Sequence, residues 1–316
     1  MIFIRIAALL LLLPINVTAA LPDPIALTAK RSDGSTISYY IYEKSKGHQS
    51  QVLLLVLQGS DCNSVVRIKS IFSDYMNVWP EADLLLVEKY GIHQDLSYSP
   101  LAERKDCPHA YLEHDNPKQR VNDIDVVLNA IGKDHTYKRV VVLGGSEGAV
   151  IANLLAAENG DVDAVISFNG GGRWFFDDVL HSIASEHPGT KASRDSMEGF
   201  KGFSQHVLNS EPFEMNVSGH GYGWWHQMLS IDQLSVLGKV KVPLLVVQGG
   251  MDKLVSPQKV NDLMTALKAA GKHNLKYLFY KNLDHHFDTS DGQSGTGKVI
   301  SDMNAWLRGV LSHSER

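Results

Sequence analysis

The sequence is poor in several things at once. It holds only two cysteines, Cys62 and Cys107, in 316 residues. That excludes a disulfide-dense mini-protein and a cysteine-rich zinc module. It has no surplus of positive charge: 30 Lys and Arg stand against 35 Asp and Glu, for a formal charge of -5. Nothing is left over to neutralise a phosphate backbone, so the chain is not expected to bind nucleic acid. No apolar run reaches the roughly 20 residues that span a bilayer. A phosphate-binding Gly-Lys-[Ser/Thr] loop is missing, and Gly170–Gly172 lacks the spacing of a dinucleotide loop. Despite 14 histidines there is no His-x-x-x-His on a helix-like segment and no Cys-x-x-Cys, so neither a cofactor nor a metal is expected. What remains is ordinary: 44% hydrophobic and 21% charged residues, the balance of a globular chain.

Residues 1–20 read MIFIRIAALLLLLPINVTAA. One charge, Arg5, precedes an apolar run, and Val17-Thr18-Ala19 fits a small-x-small cleavage site. This is the layout of a secretory signal peptide. The expectation is a mature domain over 21–316, periplasmic or secreted, with no membrane span after cleavage. In an oxidising compartment Cys62 and Cys107 are expected to pair.

Beyond the leader, short apolar runs alternate with amphipathic stretches. Ile25–Lys30 and Thr36–Tyr42 flank an Asp-Gly turn and read as a hairpin. Val52–Leu57 (VLLLVL) has no polar face, as expected of a strand buried on both sides. Asp83–Val87, 139–143, Ala164–Phe168, 242–248 and Leu275–Tyr280 repeat the type. Helical spacing runs through 63–77, 121–131, 147–157, 258–270 and 298–311. The alternation predicts an α/β fold, a mostly parallel central sheet flanked by helices. Residues 169–236 break the rhythm between two core strands and read as an inserted lid or cap.

The strongest chemical signal is Gly144-Gly145-Ser146-Glu147-Gly148, which follows one strand and opens a helix. A Gly-x-Ser-x-Gly there is a nucleophile elbow, with Ser146 on a tight turn at a helix N-terminus. Serine needs a base, and the base needs an orienting acid, in the chain order Ser, acid, His. Asp252 lies just beyond the strand at 242–248 and suits the acid. The base comes from Asp284-His285-His286-Phe287, after the last strand. Two adjacent histidines leave a choice; His285 is preferred and His286 is the alternative. Asp284 and Asp288 are too close in sequence to serve as the acid.

The pieces VVLGGSEGA, VPLLVVQGGMDKLVSP and NLDHHF resemble the α/β-hydrolase superfamily over nearly the whole mature chain. In many relatives the catalytic His follows Asp or Gly and precedes x-Phe, which points to His285. The resemblance also implies an oxyanion hole in Gln58-Gly59-Ser60-Asp61, with the backbone N–H of Ser60 and Glu147 as donors and Asp61 as an alternative. Gln58 departs from the His common there, but main-chain donors do not need that side chain.

The implied activity is that of a serine hydrolase acting on a small ester or peptide-like substrate, of carboxylesterase type. The alternative is a serine peptidase of the prolyl oligopeptidase or proline iminopeptidase kind; a binding protein that kept the fold without turnover is a third reading. Trp174, Tyr222, Trp224 and Trp225 are the candidate pocket residues. Packing of the insertion onto the body would use the same residues.

Overall fold

The computed structural model describes residues 24–44, 50–101, 104–134 and 137–312. The leader lies outside them. Eight strands form one sheet in the order β1-β2-β4-β3-β5-β6-β7-β8. They are β1 (Ile25–Lys30), β2 (Thr36–Tyr42), β3 (Val52–Leu57), β4 (Asp83–Val87), β5 (Arg139–Gly145), β6 (Ala164–Phe168), β7 (Leu244–Gly249) and β8 (Leu275–Tyr280). β1 and β2 are antiparallel additions at one edge, and the other six run parallel. This is the α/β-hydrolase architecture that the sequence resembles.

Strand periodicity explains the apolar runs. In β3, Leu53, Leu55 and Leu57 enter the core on one face of the sheet, and Leu54 and Val56 enter the core on the other. β4 divides in the same way, Leu85 and Val87 against Leu84 and Leu86. A strand covered on both faces has no polar alternation to show.

The long helices lie where the spacing puts them: α3 (Pro117–Asp134), α4 (Glu147–Glu158), α9 (Pro257–Ala269) and α10 (Thr296–Ser312). The stretch 63–77 differs. It is not one helix but a short α1 (Lys69–Ser73) between two 3-10 turns, Val65–Arg67 and Tyr75–Val78. The cause is Glu88, at the end of β4. Its carboxylate accepts the Ser64 hydroxyl and the Val65 N–H, the latter at 3.0 Å, and so fixes the entry. Asp74 leaves helical geometry at φ -123 and breaks the run again. A further short helix, α2 (His109–His114), precedes α3.

Residues between β6 and β7 form α5 (Phe175–Glu186), α6 (Lys191–Asn209), α7 (Tyr222–Ser230) and α8 (Gln233–Lys239). The first three share their own core, in which Phe200, Val207, Trp224 and Trp225 are buried. α8 belongs to the body instead, since Leu237 joins the main core.

Candidate active site

The sheet reverses its order of growth between β3 and β5. These strands are neighbours, with Leu57 opposite Gly144, and the loops that follow them meet at the carboxyl edge of the sheet. Such a switch point is where open α/β sheets bind ligands. Here it brings Gln58-Gly59-Ser60 against the turn that carries Ser146.

Ser146 sits at φ 53 and ψ -125, a left-handed conformation that a serine adopts only under constraint. Its N–H donates to Phe168 O at 3.0 Å and ties the turn to β6. Gly148 makes room. A Cβ on Gly148 would stand 2.3 Å from Leu57 O, so the helix could not approach β3. A Cβ on Gly59 would fall 3.5 Å from Ser146 Cβ, so the loop passes directly beside the serine. α4 starts at Glu147, and its positive end faces the same space. Neither the Ser60 N–H nor the Glu147 N–H has a hydrogen-bond partner among the described residues.

Asp252 follows β7 and is buried. Four donors converge on its two oxygens. Oδ1 accepts the N–H of Leu254 at 2.8 Å and of Val255 at 3.0 Å. Oδ2 accepts Gln248 Nε2 at 3.1 Å and His285 Nδ1 at 2.7 Å. That last bond directs the free ring nitrogen, Nε2, away from the carboxylate. His286 is exposed, and among the described residues its ring meets the His285 ring, edge to face at 5.6 Å. Asp284 shapes the turn: its Oδ1 accepts the N–H of His286 and of Asp288. Ser146 Oγ has no hydrogen bond among the described residues.

Beneath the turn lies a buried ionic cluster. Glu147 points inward, away from solvent, and its carboxylate meets Arg120, Lys89 Nζ at 3.6 Å and the Trp224 indole N–H at 2.9 Å. Burial alone would push its carboxyl up, but Lys89 and Arg120 outweigh this and hold it down at about 2. Asp115 is buried beside them with neither oxygen hydrogen-bonded, and burial pushes its carboxyl up to about 6. His220 is packed flat on Trp224 at 3.7 Å, and burial pulls it down to about 4, so it is neutral at pH 7.

Of the pocket candidates, Trp224 and Trp225 are buried in the core of the insertion. The Trp225 indole donates to Val217 O at 3.0 Å. Trp174 caps α5 under Arg173, 5.1 Å from its ring. Tyr222 lines a cleft of about 1060 Å³ with Phe213, Met215, Glu211 and Glu214. Cys62 and Cys107 are bonded, with Cα atoms 5.9 Å apart. Sequence reasoning missed Lys89, Arg120 and Asn169. Its one available hint was an acidic residue placed immediately after Ser146.

A family model for the prolyl oligopeptidase family matches residues 109–314, more than half of the chain. The chain belongs to the prolyl oligopeptidase family. It is a serine hydrolase. No curated protein is similar to it in sequence. Among solved structures, Est1E from Butyrivibrio proteoclasticus superimposes with a TM-score of 0.61 at 14% identity, over 91% of this chain and 99% of that one. The Pyrococcus furiosus esterase Pf2001 does so with a TM-score of 0.59 at 13% identity, over 91% of each chain. The Pyrococcus horikoshii acylaminoacyl peptidase gives 0.59 at 14% identity, over 92% of this chain and 41% of that one. At such identities these likenesses speak for the fold. The family match covers α2 through α10, which includes the elbow, Asp252 and His285 but not the loop at Gln58–Ser60.

Proposed function

We propose that this member of the prolyl oligopeptidase family is an exported esterase working through Ser146, His285 and Asp252. The supporting observation is the 2.7 Å bond from His285 Nδ1 to Asp252 Oδ2, at the same sheet edge as the strained Ser146 turn. Asp252 holds the imidazole with its proton on Nδ1, which leaves Nε2 as the base. His285 takes the Ser146 proton as Oγ attacks the ester carbonyl. The negative charge that develops on the carbonyl oxygen rests on the N–H groups of Glu147 and Ser60. His285 then protonates the departing alkoxide, and a water activated by the same ring releases the acid. Within residues 169–236, the helices α5 to α7 form a lid beside this edge.

A peptidase reading has the family match in its favour. The two are separated by substrate. Fluorophosphonate labelling comes first, with Ser146→Ala, His285→Ala and His286→Ala alongside, followed by p-nitrophenyl esters against aminoacyl p-nitroanilides. The expectation is labelling lost in Ser146→Ala, kcat reduced by about 10⁴-fold or more in His285→Ala, and a change under about threefold in His286→Ala. Faster turnover of anilides than esters turns the reading to a peptidase. Unlabelled parent protein removes the mechanism and leaves a binding protein on a hydrolase fold.

A further inference from the structure

Two successive main-chain carbonyls of the loop after β3 are held by buried side chains. The Gln58 carbonyl accepts from Arg120 Nη2 at 3.2 Å. The Gly59 carbonyl accepts from Lys89 Nζ at 2.7 Å. His220 Nδ1 meets the Tyr111 hydroxyl at 3.2 Å.

These side chains form one unit. Lys89 and Arg120 both pair with Glu147, and His220 lies on the Trp224 ring whose N–H donates to the same carboxylate. Lys89 and Glu147 have side chains 0% and 1% exposed. Burying charges so completely is unfavourable unless each finds partners, and apolar residues would fill the space at less cost. Here the partners include the backbone of the loop beside the nucleophile.

In a trans peptide the carbonyl of one residue and the N–H of the next point in opposite directions. No described peptide is cis. Lys89 on the Gly59 carbonyl therefore turns the Ser60 N–H away from the cluster and leaves it free to donate. A cation on the carbonyl also polarises the peptide and strengthens its N–H as a donor. Glu147 supplies the other N–H while its carboxylate anchors Lys89.

We propose that Lys89 is a positioning residue, which fixes and polarises the Gly59–Ser60 peptide as one wall of the oxyanion hole, with the Glu147 side chain as its anchor. This rests on the hydrolase reading above, and it concerns how that site is held.

Lys89→Met keeps the unbranched side chain as far as its fourth atom and removes the terminal ammonium. The expected result on a p-nitrophenyl ester is a roughly 10- to 100-fold fall in kcat with KM within about twofold. A trifluoromethyl ketone, whose adduct places an alkoxide in the hole, is expected to bind more weakly by a similar factor, and Lys89→Arg to recover part of both. A folded Lys89→Met with unchanged kcat and ketone affinity overturns the proposal. So does a loss confined to KM, or a Lys89→Arg no better than Met. If Lys89→Met does not fold, the parent protein decides: the Ser60 amide proton is expected to move downfield in the ketone adduct, and a stationary Ser60 amide overturns the assignment. Failure of the hydrolase reading shows separately, as no fluorophosphonate labelling of the parent. A labelled parent with an insensitive Lys89→Met counts against Lys89 alone.

Discussion

Asn169 Nδ2 donates to the main-chain carbonyl of His285 at 2.8 Å. Its Oδ1 accepts the N–H of Gly249 at 2.9 Å, where β7 turns toward Asp252. One buried side chain at the end of β6 therefore braces both the acid loop and the histidine loop. Its backbone is left-handed, at φ 47, which asparagine tolerates better than most residues. Asn169→Ala strands a buried donor and a buried acceptor, at about 1–3 kcal/mol each. The expected outcome is a lower melting temperature and a roughly tenfold lower kcat with little change in KM. A variant that melts earlier but turns over at the parent rate would show that Asn169 braces only the fold.

The Cys62–Cys107 bond closes a loop with a sequence separation of 45. The chain-entropy relation assigns about 4 kcal/mol to that length. Cys62 directly follows Asp61, and Asn63 bonds to Ser99 O and to Arg104 nearby, so the same region has polar ties as well. The double variant Cys62→Ser/Cys107→Ser is expected to melt well below the parent. Dithiothreitol should lower the parent's melting point and leave the variant's unchanged. Equal effects of reductant on both would rule out the bond as the source.

Asp115 gives a pH dependence with a definite sign. Burial raises its carboxyl from 3.8 to about 6, so the folded state disfavours ionisation. The stability contribution is whole below about pH 4, declines as pH rises toward 6 and is flat above. Asp115→Asn removes the ionisation and breaks no side-chain hydrogen bond, because both oxygens lack one. Denaturant titration should find the variant more stable than the parent at pH 7.5, by about 1–3 kcal/mol, with the difference closing near pH 4. A constant difference across that range would mean that Asp115 does not titrate as its burial requires.

The sheet and the elbow were readable because their causes are local. A strand covered on both faces, such as VLLLVL, announces itself within six residues. The steric demands on Ser146 are met by glycines within two positions of it. Lys89 and Arg120 carry no such mark. They read as solvated charges, and only the fold brings Arg120 to Glu147, 27 residues on, and Lys89 to Gly59, 30 residues back. Asn169 reads as a loop residue, since its partners lie 80 and 116 positions away. The insertion helices were hidden for another reason. α6 buries Phe200, Ser204 and Val207 on one sharply defined face, but the segment as a whole is polar, and that composition concealed the stripe.

The indole of Trp224 reaches from the inserted helices to the carboxylate behind the nucleophile. α7 is thereby a fixed post. Pulling it away would take a donor from a fully buried Glu147 and uncover the face of His220, a change that costs several kcal/mol. α6 is tied to the same post, because Phe200 and Val207 share a core with Trp224 and Trp225. The setting of the elbow thus depends on an indole supplied by a helix that lies outside the sheet.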